Sequence, residues 1–391
     1  MDGSSNVAPA GYNIDNNPAG PGDLLQTYLS ATDQFVLGQY YSEAVMKQQP
    51  LDVSSAGVDL AVKVVAFQNR MQNQATYFYQ NLINSNYGFI SSVAGAYNLC
   101  ALMNAAATLS APDILQAPTN ATARSTASSA FSAVASQAES VQVTANTLAT
   151  KAFVANQSLN QYVGSYQQTL QAVENNLEQA AKDTLAQIDA LKQAINQNIS
   201  DIVTGASQVG GAVTNLMVGI LTSIPTDKAG GGDAGGDADS TTGSSTADAS
   251  TADASSSQEN PGSFAVLAIQ AATSGETTLS QAAQDLTANN QKLAAAYQTL
   301  AAADQLLAVA KAVDVQTQMF SSMLPLAAGN AHDLVISLNG VQANMTTFAG
   351  TIANLTTDAA AQAAANQVQT AALSWTAFAS ELQSMKTTLV S

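Results

Sequence analysis

Histidine and cysteine each occur once among the 391 residues, as His332 and Cys100. No disulfide can form within the chain, zinc-type metal sites built on His or Cys ligands are excluded, and any Ser/His/Asp triad would have to use His332. Cations are scarce as well. Eleven Lys and Arg stand against 28 Asp and Glu, for a formal net charge of −17. With no basic cluster to neutralise phosphates, nucleic acid is not an expected partner. Aromatic residues make up 6% and charged residues 10% of the chain, too little for several bulky cores but enough for long helix seams of small side chains. From these absences we expect no enzyme activity, no metal and no cofactor. Residues 1–22 carry no Lys or Arg and no apolar run, so they read as a flexible arm rather than a secretory signal peptide. Export or release would then be independent of a recognisable signal. Cys100 reads as a small buried hydrophobe with no cation nearby to lower its pKa. His332, in Gly329-Asn330-Ala331-His332-Asp333, reads as a partly exposed turn residue before a helix start.

What the chain does contain is helical periodicity. A first helix is expected from Asp23 as N-cap towards Gln49, ended by Pro50. A second, about 50 residues long, should run from near Asp52 to Leu102, with Gly88 and Gly95 as places to bend or interrupt it. A break is expected between Ser110 and Thr119. From Leu159 to Ile202 the apolar positions Leu159, Val163, Tyr166, Leu170, Val173, Leu177, Ala181, Leu185, Ile188, Leu191, Ile195, Ile199 and Ile202 recur at spacings of three and four, a heptad-like seam. As one helix it would be a rod of about 65 Å. The pattern returns from Thr278 to Phe320, pauses at a turn expected over Pro325 and Gly329, and resumes from Leu334 to Leu389. The expected fold class is all-α: an elongated bundle of four to five long antiparallel helices with a small hydrophobic head inserted mid-chain.

Between Asp201 and Glu276 the composition changes. From Ile202 to Thr226 no side chain is charged, and Val209, Val213, Leu216, Met217, Val218, Ile220 and Leu221 are interleaved with Gly205, Gly210, Gly211 and Gly219. Each glycine lowers helix stability by about 1 kcal/mol relative to Ala, which suits hinge positions. Residues 229–260 form a polar Gly/Ser/Asp stretch unable to bury enough apolar surface to fold alone. Its Gly/Asp run lacks the nonapeptide repeat of calcium turns and reads as a flexible, solubilising loop. A second uncharged arm carries Phe264, Val266, Leu267 and Ile269. The domain reading is an arm at 1–22, a long-helix bundle at 23–201 and 276–391, and a head hairpin at 202–275. Three roles for that hairpin are open: a constitutive transmembrane hairpin, an ordinary buried hairpin, and an apolar head shielded in solution that enters a membrane after rearrangement. The last is preferred, because the second arm is short for a spanning helix.

This organisation, long helices interrupted by apolar arms at Ile202 to Ile224 and Phe264 to Ile269, resembles the ClyA-type α-helical pore-forming toxins, among them the haemolysin BL and non-haemolytic enterotoxin components and the helical insecticidal crystal toxins. The resemblance is architectural and carries no short motif. It implies a soluble toxin, or one component of a multi-part toxin, that inserts its head into a target-cell membrane and forms a homo-oligomeric or hetero-oligomeric pore. The polar segment from Ala229 to Asn260 departs from that pattern. An acidic chain would be repelled by anionic lipid, so docking falls to a receptor, a glycan, a zwitterionic membrane or a second component. The alternative class is a non-lytic structural, assembly or adhesion bundle with the hairpin as core; a helical lipid carrier is a third.

Overall fold

The computed structural model describes residues 17–46, 58–175, 177–206, 277–303 and 305–390. They form α1 (Leu24–Met46), α2 (Val58–Tyr77), a π-helical turn (Phe78–Ile83), α3 (Phe89–Gln116), α4 (Ala121–Glu174), α5 (Gln179–Ala206), α6 (Thr277–Ala303), α7 (Gln305–Ala353) and α8 (Asp358–Val390). There is no strand among the described residues, and the protein is an all-α bundle of long helices.

Two antiparallel helices, α4 and α7, make its spine. At 54 residues, α4 is about 80 Å long. Its buried positions recur at three and four residues and include Ala127, Ala138, Ala145, Ala152 and Ala155. Small residues there let the two backbones approach. Phe131 and Phe348 meet edge to face at 5.0 Å. Hydrogen bonds fix the register along the whole contact: Arg124 donates to the Leu355 carbonyl at 2.9 Å, Ser128 to that of Ala349 at 2.9 Å, and Tyr166 to that of Ala310 at 3.0 Å. On one flank α3 turns back into α4, whose first N–H groups, of Thr122 and Ala123, donate to the Asn120 side chain at 3.0 and 3.2 Å. α8 packs against α3. Gly95 permits the α3–α4 approach, since a Cβ there would lie 3.1 Å from Val141 Cγ2. On the other flank α1 lies along α7, where Thr27 and Ser337 hydroxyls meet at 3.0 Å and Asn330 donates to the Ser30 carbonyl at 3.1 Å. The bulky core gathers between α1, α3, the π-turn and α8, with Phe35 stacked on Phe89 at 4.4 Å.

Several expected boundaries move. The helix expected over Asp52 to Leu102 is divided into α2, the π-turn and α3, with Gly88 at the break; Gly95 does not interrupt α3 but serves its packing. α3 continues through Pro112 to Gln116, so the break expected from Ser110 falls only at residues 117–120. The turn expected at Pro325 and Gly329 does not exist. α7 runs through both, because contact with α4 and α1 outweighs the roughly 3 kcal/mol cost of an internal proline. His332 is accordingly exposed on a helix rather than in a turn, while Cys100 is fully buried and burial pushes its thiol up. Conversely, the seam from Leu159 to Ile202 is not one rod but is broken between α4 and α5; the stretch from Thr278 is broken between α6 and α7, and the last one between α7 and α8. The end of the expected N-terminal arm is docked. Asn17 donates to the Gln367 carbonyl at 2.8 Å, Trp375 Nε1 donates to that of Ala19 at 2.8 Å, and Ala19, Gly20 and Pro21 are buried.

Candidate functional site

The site follows from the two unexpected breaks. If α5 prolonged α4, Asp189 would stand about 20 Å beyond Glu174. Instead one ammonium, Lys311 Nζ of α7, lies 3.5 Å from Glu174 Oε1 and 3.3 Å from Asp189 Oδ1. The chain therefore reverses between α4 and α5. From there α5 follows the course of α7: Lys192 donates to Gln318, and Tyr41 of α1 donates to Asn196 at 3.4 Å. α6 packs against α5 and α7. Its Tyr297 feels the negative charge of both Asp314 and Asp189, which places it back over α7 after a second reversal. The helices that lead into and out of residues 207–276 are thus a hairpin folded onto the upper spine.

Charge concentrates under that hairpin. Lys311 and Asp314 are one turn apart on α7, their side chains 7% and 2% exposed and 3.7 Å from one another. Asp189 and Lys192 are one turn apart on α5, at 3.6 Å. The two pairs run in opposite order, acid before base on α5 and base before acid on α7, so each ammonium faces a carboxylate on the other helix or its own. Gln318 also donates to Asp314 Oδ2 at 2.6 Å. Burial opposes the Lys311 charge, but Asp314, Asp189 and Glu174 outweigh it and hold the ammonium above the ordinary lysine value. For Asp314 burial dominates and raises the carboxyl, against the pull of Gln318, Lys311 and Lys192. Two buried oxygens, Tyr297 Oη and Asp314 Oδ1, have no hydrogen-bond partner among the described residues. Below them Tyr166 stacks on Phe67 at 3.7 Å, and Arg70 lies over the Tyr162 ring at 5.3 Å, fixing α2 to the same end of α4.

Of the residues expected to enter a membrane, Val209, Val213, Leu216, Met217, Val218, Ile220, Leu221, Phe264, Val266, Leu267 and Ile269 all lie outside the described residues, as do Gly210, Gly211 and Gly219. Gly205 closes α5, one residue before its end. Sequence reasoning missed the charge cluster, though a signal was present: Lys311 and Asp314 are the sole charges from Gln305 to His332, with His neutral. By length and composition α3 is the one described helix that could cross a bilayer, and its inward face is packed in the bundle.

No family model matches the sequence, and neither does any curated protein. Solved structures do match. Soluble SmhA of the tripartite α-pore-forming toxin Smh from Serratia marcescens is 24% identical, with a TM-score of 0.71 over 95% of both chains. Soluble AhlB of the tripartite toxin AHL from Aeromonas hydrophila is 14% identical, with a TM-score of 0.64 over 94% of this chain and 93% of that one. The AhlB pore gives 0.53 over 93% and 96%. The chain has the fold of soluble components of tripartite α-pore-forming toxins.

Proposed function

We propose that this chain is a component of a multi-component α-pore-forming toxin. It is a water-soluble protein that places the arms within residues 202–275 in a target membrane and assembles with copies of itself or with companion components. The observation that carries this reading is the near full-length likeness to soluble toxin components, in a chain whose uncharged stretch begins at the end of the folded-back α5. The likeness to soluble AhlB exceeds that to the AhlB pore, as suits a chain in its water-soluble form. Neither arm is apolar enough to span a bilayer alone; an oligomer supplies partners, or a lumen, for Thr204, Ser207, Gln208, Thr214 and Asn215. Val209, Val213, Leu216, Met217, Val218, Ile220, Leu221, Phe264, Val266, Leu267 and Ile269 are the lipid-facing candidates, with Gly205, Gly210, Gly211 and Gly219 as hinges.

Leakage of dye-loaded zwitterionic vesicles tests the reading, with the chain alone and with culture fractions that contain companion components. Leakage is expected at micromolar protein or below. The triple substitution Val213→Asp, Leu216→Asp, Ile220→Asp should abolish it while helical content stays intact, since each charge costs about 2.5–3.5 kcal/mol at a helix centre in the bilayer. A chain that neither binds nor permeabilises vesicles or cells under any of these conditions is a bundle of another kind.

A further inference from the structure

We infer that the Lys311 cluster is a latch that holds the α5–α6 hairpin shut against the spine in the soluble protein. Four helices meet at this point: Glu174 and Tyr166 come from α4, Asp189 and Lys192 from α5, Tyr297 from α6, and Lys311, Asp314 and Gln318 from α7. Elsewhere the buried surface of α5 is apolar, with Ala181, Leu185, Ile188, Leu191 and Ile195. An apolar seam alone would let α5 and α6 slide by a turn along α7, because one small hydrophobe substitutes for another. The opposed charge pairs permit one register only. A shift by one turn would part Lys311 from Asp189, leaving it with Glu174 of α4 and Asp314 of its own helix.

The same cluster is built to open. A buried ion pair contributes little net stability compared with apolar packing of the same volume, because removing the ions from water cancels most of their attraction. Opening returns Lys311 and Asp314 to water and supplies partners for Tyr297 Oη and Asp314 Oδ1, which have none among the described residues in the closed form. Asp189 and Glu174, with side chains 44% and 25% exposed, already touch solvent, so the route into the cluster begins at them. A latch of this kind is specific when closed and cheap to release. Any use of that release in membrane entry rests on the proposed function; the latch itself is a property of the soluble chain.

Hydrogen exchange of the full-length soluble protein tests it, read helix by helix. Lys311→Met strands the buried Asp314 carboxylate in a dry seam and should speed exchange in α5 and α6 by at least about tenfold, with α3 and α8 unchanged. Asp189→Asn, which removes the ion pair from α5 to Lys311 and leaves Lys192 on Gln318, should act in the same direction with a smaller effect, and it decides the matter if Lys311→Met does not fold. The double variant Lys311→Met, Asp314→Leu leaves Asp189 paired with Lys192 and should restore exchange to the wild-type rate or below. The inference is overturned if α5 and α6 keep wild-type rates in the single variants, if all helices accelerate together, or if the double variant exchanges as fast as Lys311→Met. Vesicle binding and leakage measured on the same variants, alone and with the companion fractions, separate the two readings: exchange that sorts them as expected while none binds or causes leakage under any of these conditions supports the latch and defeats the proposed function.

Discussion

Asp33 offers a direct check on how the bundle uses its few charges. It lies on α1, nearly one turn past Ser30, whose carbonyl is held by Asn330 of α7. Burial lifts its carboxyl from 3.8 to about 7. The unfolded chain keeps the ordinary value, so between these limits the folded state binds the extra proton and the unfolded state does not. Stability from this group is therefore greatest below about pH 4, declines as pH rises, and levels off above about pH 7. At about 1.36 kcal/mol per unit, the two titration curves differ by about 2.6 kcal/mol between pH 5 and pH 8. Part of the side chain still reaches water, and an effect of about 1–2 kcal/mol is the realistic expectation. Asp33→Asn keeps the shape and removes the titration. Urea unfolding followed by far-ultraviolet circular dichroism should show the advantage of the variant over the wild type growing by that amount between about pH 5 and about pH 8. Other carboxyls, Asp314 included, titrate in both proteins and cancel from the comparison. Parallel pH profiles would mean that Asp33 is hydrated in the folded state and that α1 does not seal against α7.

Three further substitutions probe the packing. A Cβ at Gly38 would sit 2.4 Å from Phe78 Cζ, in a ring held edge to face on Phe320 at 5.5 Å; Gly38→Ala should cost about 1–3 kcal/mol in urea unfolding, and adding Phe78→Leu should regain part of it. Trp375→Phe removes the hydrogen bond to the Ala19 carbonyl and should cost about 1–2 kcal/mol, with faster proteolytic clipping within residues 17–22 as the local sign. Asn120→Ala leaves two N–H groups of α4 without their cap and should lower stability by about 1 kcal/mol, visible as a shifted unfolding midpoint with no change in slope.

The helical class and the apolar faces were legible because a period of three to four residues survives in sequence whatever the tertiary context. The reversal after α4 was not. Leu170, Val173, Leu177, Ala181 and Leu185 keep the spacing straight through it, since both helices bury the same face, so the break left no gap in the pattern. Pro325 erred in the other direction: it marks a helix end only when local cost exceeds tertiary gain, and here the long contact with α4 wins. The boundary after α7 did carry a signal in Thr357, whose hydroxyl accepts from the Ala360 N–H at 3.3 Å, with Asp358 in the first turn of α8. The charge cluster was hidden for another reason. Lys311 and Asp314 stand one turn apart in an otherwise uncharged run, and nothing in their spacing tells that α5 and α6 lie over them.

The two reversals also conceal length. α5 has 28 residues and α6 has 27, so each doubles back over about 40 Å. Straightening both would carry α4 and α7 onward side by side by that distance, adding half again to the long axis without melting a helical turn. Small-angle scattering would register such a change as a large rise in maximum dimension at constant helical content, a signature that separates unhinging from unfolding.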